Sequence, residues 1–264
     1  MCKDCGCGLG GEAKIGGHHH HHDHDHAHEH HHHGHHEHSP QPAAAGKRVS
    51  VQRSLLDKND RLAERNRGFF RAKKLLVLNV LSSPGSGKTA LLCETALRLR
   101  GHLRLGVIVG DLATDNDAAR LREAGVPVVQ ITTGTVCHLD AEMVSRAAEQ
   151  LDLDALDVLV IENVGNLVCP ADYDLGETLR VVLLSVTEGE DKPLKYPPIF
   201  HSAHVALLTK TDLAGATGFD RESALANLRR VSHHARVLEL SARSGEGMDA
   251  WLDLLASHHA AMRL

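Results

Sequence analysis

Leu75-Leu-Val-Leu-Asn-Val-Leu81, running into Ser82-Ser-Pro-Gly-Ser-Gly-Lys-Thr89 and then Ala90-Leu-Leu-Cys-Glu-Thr-Ala-Leu-Arg-Leu-Arg100, decides the fold. The first stretch is an apolar run of strand length, and the last repeats leucine and alanine at helical spacing. In a strand–loop–helix setting the loop's successive backbone amides and the positive end of the helix converge on one point, which suits a phosphate chain. Gly85 and Gly87 allow close backbone approach, Lys88 neutralises the β- and γ-phosphates, and the Thr89 hydroxyl can ligate Mg²⁺. Ser86 and Ala90 complete the expected phosphate-side contacts. The run departs from G-x-x-x-x-G-K-[ST] at its first position, where Ser82 replaces glycine.

Beyond this segment, apolar runs alternate with helical stretches. Strands are predicted at Leu75 to Leu81, Leu105 to Val109, Pro127 to Ile131, Val158 to Ile161, Val181 to Val186, Val205 to Leu208 and Val237 to Leu240. Helices are predicted at Ala90 to Arg100, Asp117 to Ala124, Ala141 to Leu151, Arg221 to Val231 and Met248 to His258. The runs are continuously apolar rather than alternating, so both faces of the sheet must be covered. Right-handed crossovers then give an α/β fold with a doubly wound, mostly parallel sheet.

In such sheets the ligand sits beyond the carboxyl ends of the strands. Thr209-Lys-Thr-Asp212 ends one strand there and resembles the N-K-x-D element of GTPases, with threonine for asparagine. The Asp212 carboxylate can accept from the ring N–H and exocyclic amine of guanine, and Lys210 can cover the ring. Adenine would leave that buried carboxylate unpaired. Ser241-Ala242-Arg243, after the last strand, resembles the S-A-[KR] loop that closes over the base. Asp111 and Glu162 end two further strands and can reach Mg²⁺ or its waters, making them, with Lys88, the candidate catalytic groups. Glu162-Asn-Val-Gly165 resembles the D-x-x-G element with glutamate for aspartate. Asp117 lies where a switch segment would follow, whereas Asp115 reads as a helix N-cap.

Up to about residue 45 the chain changes character. Fifteen histidines fall between His18 and His38, interleaved with Asp23, Asp25, Glu29 and Glu37 and no large apolar residue. Such a stretch cannot bury enough surface to offset its ordering entropy and is expected to be disordered, with nothing in it to pack against the core. Acidic residues through the run argue against a purification tag. Ser39 to Pro42 and Ala43 to Gly46 read as a linker, and Val51, Leu55, Leu56 and Leu62 predict a short entry helix. The expected division is therefore residues 1–45 as tail and 46–264 as the folded domain.

The 264 residues carry a formal charge of -5, which disfavours nucleic acid as the main partner. No apolar run approaches bilayer length and no leader opens the chain, so a cytoplasmic protein without a membrane partner is expected. Six cysteines in this layout suit metal better than a disulfide scaffold. Cys2-Lys-Asp-Cys5-Gly-Cys7 packs three thiols into six residues, a ligand set for nickel or a similar ion. Cys137-His138 and Cys169 offer two thiols and an imidazole for Zn²⁺ or Ni²⁺; taken singly, each also suits a small core residue or a surface histidine. Cys93, beside Leu91 and Leu92, reads as core.

Several of these segments together resemble the HypB family of nickel-handling hydrogenase-maturation GTPases. They are Cys2 to Cys7, the histidine run, Ser82 to Thr89, Gly134-Thr-Val-Cys-His-Leu-Asp140, Glu162-Asn-Val-Gly-Asn-Leu-Val-Cys169 and Ser185-Val-Thr-Glu-Gly-Glu-Asp-Lys-Pro-Leu-Lys-Tyr-Pro197. The resemblance implies a SIMIBI-type P-loop GTPase acting on GTP with Mg²⁺. It implies tight nickel binding at Cys2, Cys5 and Cys7, storage in the histidine run, and a domain site of Cys137, His138 and Cys169 shared across a nucleotide-dependent homodimer. The partners it implies are a small nickel-binding protein of the HypA type and the [NiFe]-hydrogenase large-subunit precursor. Nucleotide state would order the loops after Asp111 and Glu162 and so bias metal affinity. Two further readings are a nickel or zinc storage protein with a regulatory nucleotide domain, and a urease-type nickel chaperone. The Gly134–Asp140 and Glu162–Cys169 segments favour the hydrogenase branch.

Overall fold

The computed structural model describes residues 14–15 and 43–263. Among the described residues eight strands form one sheet: β1 (Lys14–Ile15), β2 (Leu76–Leu81), β3 (Leu105–Asp111), β4 (Val128–Thr132), β5 (Val158–Glu162), β6 (Leu179–Ser185), β7 (Val205–Thr209) and β8 (Arg236–Leu240). Their order is β1-β4-β3-β5-β2-β6-β7-β8. Every pair is parallel except β1 with β4. The order reverses around β2, so the glycine-rich loop leaves the sheet near its middle, at the crevice where such folds bind ligands.

The helices are α1 (Ala43–Ala72), α2 (Lys88–Leu99), α3 (Asn116–Glu123), α4 (Ala141–Ala148), α5 (Lys192–Lys195), α6 (Pro197–His201), α7 (Ala214–Thr217), α8 (Arg221–Val231) and α9 (Met248–Met262). Successive strand residues point to opposite faces, and both faces are roofed. Leu76, Leu78 and Val80 of β2 pack with Leu91 and Leu92 of α2, Leu121 of α3 and Trp251 of α9. On the other face Leu75 and Val77 meet Phe70 of α1 and Val144 of α4, while Leu81 meets Phe200 of α6 and Leu228 of α8. This two-sided cover is why the strands read as unbroken apolar runs. Exceptions are Asn79, fully buried in β2 on the α1/α4 face, Gln130 of β4 and Arg180 of β6.

All seven predicted strands and five predicted helices form, with ends shifted by a few residues. Four expectations change. Ala43 to Gly46 is not a linker but the first turn of α1, and the entry helix is not short: it runs 30 residues. Alanine is the strongest helix former, so three in a row favour starting the helix over ending a linker. Lys14 pairs with Thr132 and Ile15 with Ile131, so part of the region before residue 45 does meet the sheet. Edge pairing needs only backbone N–H and C=O groups, which an apolar count ignores. Asp115 holds the N-cap position of α3 but makes no capping bond; its carboxylate pairs with Arg122 at 2.8 Å. Cys2, Cys5, Cys7 and the histidine run lie outside the described residues. No described helix is long and apolar enough to cross a membrane.

Candidate nucleotide and metal sites

The turn at Ser82–Thr89 depends on backbone freedom at Gly87, whose φ of 96° lies in the left-handed region and caps α2. Lys88 is buried beneath the loop, and its Nζ donates to Ser82 Oγ at 3.1 Å. Ser82, the departure from the motif, thus holds the lysine head group within the loop; its own hydroxyl donates to Ser83 O at 2.7 Å. Desolvation lowers the Lys88 pKa, opposed chiefly by the Glu162 charge. A cation kept dry in this way is poised for an anionic ligand.

On the base side, Thr209 Oγ1 donates to Ser86 O at 2.9 Å and Lys210 Nζ to Gly85 O at 2.6 Å. The short Thr209 side chain therefore still braces the loop. Ser241 Oγ donates to Asp212 Oδ1 at 2.6 Å, joining the two elements resembling base-recognition motifs. A cavity of about 200 Å³ opens there, lined by Ala90, Lys210, Asp212, Ser241, Ala242 and Arg243. Glu188, within the Ser185–Pro197 segment but given no role by the sequence, accepts through Oε2 from Ser86 Oγ and from Ser185 N, both at 3.0 Å. Only tertiary proximity across 102 positions reveals that bond.

Glu162 and Asp111 separate in environment. Thr89 Oγ1 donates to Glu162 Oε1 at 2.8 Å, and Glu162 Oε2 is buried without a partner. An orphaned carboxylate oxygen beside a threonine hydroxyl fits a hard, oxygen-seeking cation such as Mg²⁺. Asp111 instead accepts through Oδ1 from Ala113 N and Thr114 N, at 2.9 and 2.8 Å, fixing its own loop. Asp117 lies close enough to act on both Lys88 and Glu162.

Burial pushes the Glu162 carboxyl up from 4.5 to about 7, only partly offset by Lys88 and the Thr89 bond. The folded, unliganded chain therefore holds a proton that the unfolded chain releases above 4.5. Stability from this group is full below pH 4.5 and declines as pH rises to about 7, by about 3 kcal/mol. Glu162→Gln should flatten this decline, read as urea-unfolding midpoints at pH 5 and 7.5 without ligand. Equal pH dependence in both proteins would contradict the assignment.

The second cluster lies beyond the ends of β4 and β5. Cys137, His138 and Cys169 present ligand atoms all within 4.8 Å of one another, and the two Sγ atoms are 3.0 Å apart. His138 stacks on Tyr173, with ring centroids 3.9 Å apart, and its Nδ1 is buried without a hydrogen-bond partner. Desolvation lowers the His138 pKa, favouring the neutral imidazole that binds metal. Two thiols and an imidazole suit a borderline-soft ion such as Ni²⁺ or Zn²⁺ and leave a fourth position open. Tyr173 gave no signal in the sequence, since stacking carries no local motif. Cys93, read as core, is only half-buried and packs against the edge of the α2/α3 core.

A doubly wound sheet with this strand–loop–helix cradle defines a P-loop nucleotide-binding domain of the GTPase type. Residues 76–239 match the family model described as CobW/HypB/UreG, nucleotide-binding domain. The chain is 54% identical over 213 residues to "Hydrogenase maturation factor HypB" of Escherichia coli (strain K12), covering 81% of this chain and 73% of that protein. HypB of Archaeoglobus fulgidus superposes with a TM-score of 0.72 at 39% identity, over 77% of this chain and 99% of that one. HypB from Helicobacter pylori, solved in complex with nickel, gives 0.74 at 38% identity, over 77% and 96%. The chain belongs to the HypB family of hydrogenase maturation factors.

Proposed function

We propose that the chain is a GTP-hydrolysing nickel metallochaperone, in which nucleotide state switches metal binding and dimerisation on the way to a [NiFe]-hydrogenase large-subunit precursor. The observation that supports this best is the segment 162–169, which begins on Thr89 through Glu162 and ends with Cys169 against Cys137. Lys88 and the loop amides hold the β- and γ-phosphates, and Asp212 with Ser241, Ala242 and Arg243 encloses guanine. Thr89 and Glu162, with Asp111 near them, hold Mg²⁺, which supplies charge neutralisation at the phosphates when bound. Cys2, Cys5 and Cys7 bind nickel in the tail of residues 1–45, the histidine run stores it, and the domain of residues 46–264 carries nickel or zinc at Cys137, His138 and Cys169. A HypA-type protein is the exchange partner, and the chain acts in the cytoplasm.

Single-turnover nickel transfer to the hydrogenase precursor, with GTP against a nonhydrolysable analogue, tests this. Hydrolysis-dependent transfer supports delivery, and equal transfer with both nucleotides sinks the switch. Asp212→Asn should weaken GTP binding at least about tenfold with little effect on ATP, because an amide donor would face guanine's donors. Calorimetric titration of both nucleotides checks this, and equal ATP and GTP affinity in the unsubstituted chain would refute guanine selection.

A further inference from the structure

Asn163 and Asn166 bridge the nucleotide loop and the metal loop. Asn166 Nδ2 donates to the carbonyl of Cys137 at 3.2 Å, and its Oδ1 accepts from Val168 N at 2.9 Å, one residue before Cys169. One amide thus holds a backbone atom of one candidate ligand and the approach to another. Asn163 Oδ1 accepts from Val164 N at 2.9 Å and, more loosely, from Leu139 N at 3.4 Å. Its Nδ2 donates to Asn79 Oδ1, and Asn79 Nδ2 donates to Glu177 Oε1, each at 3.2 Å. Asn163, Asn79 and Glu177 are all buried, so each unmade bond would leave a costly orphan. Asn79, the polar residue inside the apolar strand β2, is therefore the fixed post on which Asn163 hangs.

The residues beside these asparagines touch the phosphate loop. Glu162 accepts from Thr89, and Gly165 lies so close to the loop that a Cβ there would stand 2.9 Å from Pro84 Cα. A movement of the phosphate loop toward Gly165 would therefore press on it, and Asn166 follows it in the chain. The geometry points to Asn166, with Asn163 as its buried anchor, as the positioning residue that converts nucleotide state into the geometry of Cys137 and Cys169. This rests on the nucleotide-to-metal switch proposed above. Neither asparagine would ligate metal or touch nucleotide; their role is to make two loops move as one. A physical coupling of this kind is carried by discrete hydrogen bonds in a two-state element.

Coupling is reciprocal, so it can be read from the nucleotide side. In the full chain the preference for a nonhydrolysable GTP analogue over GDP is measured by fluorescent-nucleotide titration, with and without Ni²⁺. In the unsubstituted protein Ni²⁺ should shift that preference about tenfold, within the usual range of coupling. Asn166→Leu, similar in size but unable to donate to the Cys137 carbonyl, should reduce the shift to less than about twofold. Its metal-free GDP affinity should stay unchanged, which a general loss of structure would not permit. Asn163→Asp, which keeps the acceptor and loses the donor to Asn79, should give the same loss and decides the matter if the leucine variant fails to fold. A full shift in both folded variants overturns the role of the asparagines while leaving the switch intact. No shift in the unsubstituted chain, or one that survives Cys169→Ala, overturns the switch itself and the bridge with it.

Discussion

Lys88→Ala is expected to abolish GTP hydrolysis, lowering turnover by at least about 10²–10³, the loss typical of one preorganised charged or polar donor at a transition state. The barrier to phosphoryl transfer falls mainly through positioning and charge stabilisation, and the protein contributes little covalent chemistry. Lys88 lies under the loop in a dry environment, where a charge acts more strongly than in water. Its Nζ bond to Ser82 Oγ holds the ammonium within the phosphate loop. Burial lowers its pKa, meaning that the fold bears a cost to keep the cation there. Removing it should not unfold the chain, so thermal melting stays close to the parent's. Metal binding through Cys2, Cys5 and Cys7 should persist. Phosphate release under single-turnover conditions measures the effect, and unchanged turnover would remove the phosphate-cradle assignment.

The sheet and its roofing helices were legible because each element carries a local signal: two covered faces give unbroken apolar strands, and helical periodicity marks the crossovers. Ser82–Thr89 could be read for the same reason, since a phosphate cradle is a contiguous loop whose residue types follow from its shape. Ala43–Gly46 has a linker's low complexity, but the helix propensity of its three alanines prevails and starts α1 there. The pairing of Lys14 with Thr132 left no trace, since a backbone ladder at an edge asks little of side chains.

What local reading could not supply was long-range polar geometry. Asp111 and Glu162 looked equivalent as strand-ending carboxylates, yet one turns back to its own loop and the other lies buried against Thr89. The difference is set by neighbours 73 positions away in sequence for Glu162 and two for Asp111. Ser86 with Glu188, His138 with Tyr173 and Asn166 with Cys137 are of the same kind. Each joins loops from different crossovers, so no spacing within one segment encodes it. Cys137, His138 and Cys169 fall between these cases: the residue types suggested ligands, but only the parallel neighbours β3, β4 and β5 bring the loops to one edge.

That convergence gives Cys137 and Cys169 the second large effect. Cys137→Ala or Cys169→Ala should weaken metal binding at the domain site at least about 100-fold, since losing a direct ligand should cost no less than losing an outer-shell partner. Stability without metal should change little, because ligand thiols at a sheet edge stabilise the fold mainly when metal is bound. The Cys137 and Cys169 side chains are only part-buried, so no large core cavity is left behind. Three protein ligands leave a position open on a four-coordinate ion, and a symmetric second copy brings the same three. Metal should therefore favour a dimer, more strongly with a GTP analogue present, if the 162–169 segment links the two sites. Sedimentation of the full chain with Ni²⁺ or Zn²⁺, with and without the analogue, compared with Cys137→Ala, separates this from association through the tail, which the substitution leaves untouched. If the metal- and analogue-dependent dimerisation is undiminished in Cys137→Ala, these residues are ordinary loop positions. Metal control of the domain would then have to be sought in the tail, although the phosphate-cradle fold would stand.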